Sequence, residues 1–168
     1  MEFSNIEILQ LPDISKLTFK PIHKDYLKVL IFSVLAIFAI LFLSLFLLES
    51  YVEKIANYQY VSYLYFGTAL ILAIVLSWLF VGFSRRKYIL RTKDVTYKSG
   101  VLIKTITTVP FTRIQHVEIN EGPISRLFKL AALNVFTAGD SSNDLVIKGI
   151  KKEEALQVKE FINQQING

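Results

Sequence analysis

Two long apolar stretches dominate the first half of the chain. Val29 to Leu48 runs twenty residues without a charge, and Leu64 to Phe83 repeats the pattern. At a helical rise of about 1.5 Å per residue, each run covers the roughly 30 Å of a bilayer's hydrocarbon core. A soluble core could not hide two such helices in so short a chain. The first run begins only at residue 29, and Glu49-Ser50-Tyr51-Val52 behind it offers no small-x-small cleavage site. It reads as a retained span rather than a signal peptide. The pattern predicts a transmembrane helical hairpin over 29–84 with a connecting loop at 49–63.

Beyond residue 84 the apolar positions shorten into β-rich runs broken by turn residues. Tyr88–Thr92 and Val95–Lys98 read as strands flanking a Lys93-Asp94 turn. Ser99-Gly100 turns the chain again, and Val101–Val109 reads as a third strand. Arg113–Ile119 is a fourth, but Ile114, Val117 and Ile119 do not alternate strictly, so a bulge is expected. Gly122-Pro123 leads into a short helical turn over Ile124–Leu130. Leu133–Thr137, a polar loop at Ala138–Asn143 and a strand at Asp144–Lys148 follow. The last element is an amphipathic helix, about Lys152 to Ile166, with Ala155, Val158, Ile162 and Ile166 near one face and Glu153 and Glu154 in its first turn. Strands followed by one such helix predict a mainly-β domain over 85–168, a small curled sheet or open barrel capped by the helix. Residues 1–28 form a separate N-terminal segment, interrupted by Pro12 and Pro21. Its Phe19, Ile22, Tyr26 and Leu27 are expected at the membrane interface.

Composition agrees with a membrane protein: 52% of residues are hydrophobic and the mean hydropathy is +0.43. Charge placement adds orientation. Residues 84–168 hold 14 basic and 8 acidic residues, against 5 and 6 in residues 1–83. Lys24, Lys28 and Arg85-Arg86-Lys87 flank the hairpin, whereas its loop carries only Lys54. The positive-inside rule therefore places both termini in the cytoplasm and the loop outside the cytoplasmic membrane. Tyr51, Tyr58, Tyr60, Tyr63 and Tyr65 suit an aromatic belt around that loop. Neither span carries an ionisable residue, which speaks for an anchor rather than an ion-handling transporter. Ala69, Ala73 and Ser77 share one face of the second span, where small side chains admit a neighbouring helix. That neighbour is either the first span or another subunit, so homo-oligomers are among the expected assemblies.

Candidate chemistry is sparse. The chain has no cysteine, which removes disulfides and thiolate chemistry. His116 and His23 lack metal-ligand spacing. Asp140-Ser141-Ser142-Asn143-Asp144 is rich in oxygen but lacks the glycine and glutamate of a calcium loop. Ser99 and Ser125 have no nucleophile-elbow context, and no glycine loop cradles phosphate. Neither catalysis, a cofactor nor a metal is expected. The basic set Arg85, Arg86, Lys87, Arg91, Lys93, Lys98 and Lys104 follows the second span, where anionic lipid would attract it. With the membrane accounting for this charge and no stacking platform in sight, nucleic-acid binding is not expected. Arg113, Gln115 and Arg126 either form a partner or ligand site or satisfy backbone carbonyls and carboxylates such as Glu118 and Glu121.

Several short motifs occur in a recognisable order. Ser99-Gly100-Val101-Leu102, then Thr107-Thr108-Val109-Pro110-Phe111-Thr112-Arg113-Ile114-Gln115-His116-Val117, resembles the YdbS-like bacterial pleckstrin-homology-like membrane protein family. So do Gly122-Pro123-Ile124-Ser125-Arg126-Leu127-Phe128, Thr137-Ala138-Gly139 and the Gly149-Ile150 entry to the last helix. Lys129 departs from the pattern, since the family often has glycine there. The resemblance covers about residues 85–166. It implies a seven-stranded, two-sheet pleckstrin-homology-like (PH-like) barrel capped by a C-terminal helix, following a two-span hairpin. It implies no catalytic residues. The expected function is a membrane-anchored interaction or scaffold module that binds a membrane protein with related PH-like domains. The alternative is a sensor of anionic lipid or a small ligand, with Arg91, Lys93 and Lys104 at the barrel mouth.

Overall fold

The structure, a computed structural model, describes residues 17–51, 58–138 and 145–167, without the side chains of 58, 59 and 167. The Asp140–Asp144 loop and the middle of the 49–63 loop lie outside the described residues.

Helices α1 (Asp25–Tyr51) and α2 (Tyr58–Ser84) are each 27 residues long. They pair as a hairpin: Phe42 stacks on Tyr65 at 6.1 Å, and the Tyr65 hydroxyl donates to Glu49 at 3.0 Å. Only 6% and 0% of their apolar windows are buried within the protein. A soluble core helix would be covered, so these faces need lipid as their solvent. The hydroxyls of Ser33, Ser44, Thr68 and Ser77 donate to carbonyls three or four residues earlier in their own helix. That satisfies them inside hydrocarbon without a partner.

Among the described residues, seven strands form two antiparallel sheets. The first has the order β1 (Lys20–Pro21), β2 (Lys87–Leu90), β3 (Asp94–Ser99), β4 (Thr105–Pro110). The second has the order β5 (Ile114–Asn120), β6 (Leu130–Thr137), β7 (Leu145–Lys151). Helix α3 (Pro123–Leu127) links β5 to β6, and α4 (Lys152–Asn167) follows β7. The two sheets stay separate in their hydrogen bonding rather than closing into one barrel. Val95 and Val109 from the first sheet meet Leu133, Val135 and Ile147 from the second, and Ala155, Val158 and Ile162 of α4 lie buried with them. The fold is thus the expected PH-like pair of sheets with a C-terminal helix, beside a helical hairpin.

Three local features explain where strand boundaries differ from the pattern. Gly100 has φ +101°, and a β-carbon there would lie 1.8 Å from the Ile103 carbonyl oxygen. The chain folds back so tightly that Val101–Ile103 forms a turn, not the start of a strand. Lys129 sits at φ +53°, turning the chain directly from α3 into β6, which begins at Leu130. In β5 the expected bulge falls between Ile114 and His116, and it brings Ile114 and Val117 both inward.

The N-terminal segment is built into the domain. Lys20 pairs with Tyr88 and Pro21 with Lys87. Ile22 and Tyr26, expected at the membrane interface, are buried in the protein core instead. Gly149 explains why. It is the extra residue where the β6–β7 register shifts, and its φ is +83°. Its missing side chain leaves room for the Tyr26 ring, and its carbonyl accepts the His23 amide at 2.8 Å. Glu154 of α4 then accepts hydrogen bonds from Lys20 and from the Tyr88 hydroxyl, tying both sides of the hairpin base to the last helix.

Candidate functional site

The end of α2 runs straight into the first sheet. Ser84 closes the helix, the Arg86 amide donates to the Phe83 carbonyl at 3.1 Å, and β2 starts at Lys87. Since Lys87 pairs with Lys98, the residues before β2 lie beside those that end β3. The tight turn at Gly100 then sets Val101 against the last turn of α2: a β-carbon on Gly82 would meet Val101 Cγ2 at 3.4 Å.

This junction forms a partly open cavity of about 400 Å³. Trp78, Leu79 and Val101 give it apolar walls, while Arg86 and Lys148 bring positive charge. A smaller cavity of about 70 Å³ adjoins it, lined by Arg85, Lys98 and Lys104. Ser99 and Gly100 line both.

Among the described residues, no carboxylate lies within ion-pair distance of Arg85, Arg86, Lys98, Lys104 or Lys148. Arg86 is steered by aromatic groups: its Nη1 is 3.5 Å from the Tyr26 hydroxyl, and its Cζ is 5.7 Å from that ring's centroid. An aromatic face attracts a cation without neutralising it. Burial pushes the nearby Tyr97 hydroxyl up, while Arg86 pulls it the other way.

The residues singled out from sequence therefore separate into groups. Arg85, Arg86 and Lys104 line the junction. Lys98, noted only as part of the basic run, joins them. Lys87 is exposed at the start of β2 and Lys93 at the β2–β3 turn. Arg91 binds Asp94 through its Nε at 2.7 Å. Arg91 and Lys93 flank one end of β3 and Lys104 the other, so these three form no common mouth. Arg113, Gln115 and Arg126 are exposed on the β5 and α3 side and line neither cavity. The suggested carboxylates are engaged elsewhere: Glu121 binds Lys152 at 2.8 Å, and Glu118 lies 3.6 Å from His116. His116 itself stacks on Phe136 at 4.3 Å.

Sequence reasoning missed Trp78 and Lys148. Trp78 is hidden in an apolar run, and Lys148 reaches the junction only because the fold brings β7 beside the cavity at the end of α2. Trp78 alone carried a signal, as a tryptophan near the end of a span.

Two aliphatic tips flank the hairpin base. Leu102 and Ile103, beside Val101, are 80% and 82% exposed. Leu127 of α3 is 81% exposed, next to Phe128, whose ring lies 6.0 Å from Phe32 of α1.

Comparison with known proteins adds to this geometry. Residues 9–166 match the family described as bacterial PH domain. A 78-residue stretch is 27% identical to the UPF0699 transmembrane protein YdbS of Bacillus subtilis (strain 168), covering 46% of this chain and 47% of that protein. The chain thus spans about half the length of that curated relative. No solved structure matches.

Proposed function

Since the chain belongs to the bacterial PH domain family, we propose that it serves as a membrane-anchored interaction module whose hairpin and PH-like domain engage a membrane protein partner. It is a membrane-associated PH-like protein, and the lipid bilayer is its immediate surroundings. The partner carries a related domain or is a second copy of the chain.

One observation carries the reading. Ala69, Ala73 and Ser77 are exposed, whereas Val61, Tyr65, Thr68, Leu72, Val75, Leu76 and Leu79 are among the more covered positions of α2. The small-residue face is therefore turned away from α1. Beside it lies a groove of about 350 Å³ among Ala73, Ile74, Ser77, Trp78 and Val81. Without a hydrophobic drive between helices in lipid, close approach over small side chains is what holds them together. The first helix does not use this face, so a helix of another subunit is its natural occupant. The expected setting is the cytoplasmic membrane with both termini inside, on the charge asymmetry around the hairpin. A binding role rather than catalysis fits the cluster of cations at the junction and the ring-stacked His116.

The chain's lack of cysteine makes the test clean. Ala73→Cys in native membranes should crosslink to a partner, and Leu72→Cys, on the covered side, should not. Ala73→Phe should abolish co-purification of the same partner. If Ala73→Cys stays monomeric under oxidation and with bifunctional crosslinkers, the reading fails.

A further inference from the structure

The junction cavity joins an apolar wall on a membrane helix to cations that have no acidic counterpart among the described residues. Depth in the bilayer makes this pairing specific. Trp78 precedes the end of the apolar run at Phe83 by about five residues, or roughly 7.5 Å along the axis. With the run filling the hydrocarbon core, that is the level of the acyl chains, and the headgroups begin near Phe83. Arg86 lies just beyond the run, at the depth of lipid phosphates. The cavity thus changes from apolar to cationic in the direction in which a glycerophospholipid changes from chain to phosphate.

We propose that the cleft between α2, β3 and β7 seats one anionic glycerophospholipid from the leaflet next to the domain. The phosphate lies at Arg86 and Lys148, and an acyl chain runs along Trp78 and Leu79. Arg86 suits this role: a guanidinium presents a planar fork to phosphate oxygens, and Tyr26 fixes its position without cancelling its charge. Arg85, Lys98 and Lys104 around the adjoining cavity favour an anionic headgroup over a zwitterionic one. The exposed Leu102 and Ile103 beside the Gly100 turn hold this edge of the domain at the bilayer, so the cleft opens to lipid rather than to water. The cleft shares Trp78 with the groove beside the small-residue face, but its cations are its own, so Lys148→Glu tests the lipid site while leaving the partner reading intact.

The test uses the full-length protein, stripped of lipid in a nonionic detergent, with phosphatidylglycerol, phosphatidylcholine and glycerol phosphate as probes. Native mass spectrometry should show one phosphatidylglycerol retained per chain, at least tenfold over phosphatidylcholine. Lys148→Glu, at an exposed position, should lose that retention tenfold or more while keeping its unfolding midpoint in lipid-free detergent. Trp78→Ala should lose it too. Lys93→Glu makes the same charge change away from the cleft and should keep it. Equal retention of phosphatidylcholine would overturn the anionic specificity, and equal loss in Lys93→Glu would reduce the effect to diffuse surface charge. A thermal shift from glycerol phosphate as large as that from the whole lipid would mark a soluble phosphate site instead.

Discussion

The hairpin and the domain beneath it use the same apolar residue types in opposite ways. In the hairpin, Phe32, Ile40 and Phe66 are 54%, 69% and 71% exposed. In the domain, Leu133, Val135 and Ile147 are each 0% exposed. The residue types do not differ, so the solvent must. In lipid, apolar exposure carries no penalty, and helix pairing rests on close contact. In water, the sheets cohere only because their faces are removed from it. The two regimes meet over a few residues. Tyr26 and Val29 belong to a membrane helix and yet are buried in the water-side core. The base of the hairpin is therefore fixed to the domain, while its upper turns are free to meet lipid or other helices.

The sharpest way to break this contrast is to remove the same side chain on each side of it. Leu133→Ala should cost about 2–5 kcal/mol, because a fully buried leucine leaves a cavity. Leu70→Ala, 53% exposed on α2, should stay within about 0.5 kcal/mol. Limited proteolysis of the domain in detergent would read both. Comparable losses would mean that the hairpin is packed like a soluble core, and the contrast would collapse.

The meeting point of the two regimes is tested by Gly149→Ala. A β-carbon there would lie 2.4 Å from the Tyr26 ring, at φ +83°. We expect a loss of about 2–4 kcal/mol, combining steric overlap and backbone strain. Adding Tyr26→Ala should recover part of the steric share in thermal unfolding. No recovery would indicate that Tyr26 does not pack on this bulge.

Glu154→Gln probes the polar side of the same attachment, and should cost about 1 kcal/mol near neutral pH. Burial opposes ionisation of Glu154, but hydrogen bonds from Lys20 and Tyr88 outweigh it and hold the carboxyl below its ordinary value of 4.5. The folded state then binds its proton less readily than the unfolded chain. Its contribution to stability is complete above 4.5 and fades as pH falls through the lowered value. The glutamine variant should show a shallower loss of unfolding midpoint in acid than the parent protein. An unchanged slope would remove Glu154 from the attachment.

The smallest expected effect is a gain. Lys129 holds φ +53°, which costs a side chain-bearing residue energy that glycine does not spend. Lys129→Gly should raise stability by up to about 1 kcal/mol, measured as a higher unfolding midpoint, with lipid exposure of the hairpin unchanged.

Much of this was legible in the chain. Uncharged runs of twenty residues declare the hairpin because their length matches a bilayer. The irregular spacing of Ile114, Val117 and Ile119 signals the bulge, because side chains alternate strictly along an unbroken strand. The motifs from Ser99 to Ala138 pointed to the family, and a glycine preference at Lys129 now has its cause in a left-handed turn. The β1 edge of the first sheet and the burial of Tyr26 were not legible. Lys20–Pro21 is too short to read as a strand, and nothing in Tyr26 itself distinguishes a core position from a membrane anchor.

Local periodicity and composition were enough to mark which segments are apolar enough to meet lipid, where the domain turns and which charges gather beyond the second span. That Trp78, Arg86 and Lys148 share one cavity, that Arg91 is paired with a carboxylate while Arg86 is not, and that Gly149 admits Tyr26 emerged only from the folded chain. Those facts depend on contacts between residues up to 123 positions apart, set by the packing of sheets against the hairpin base, and no local pattern encodes them.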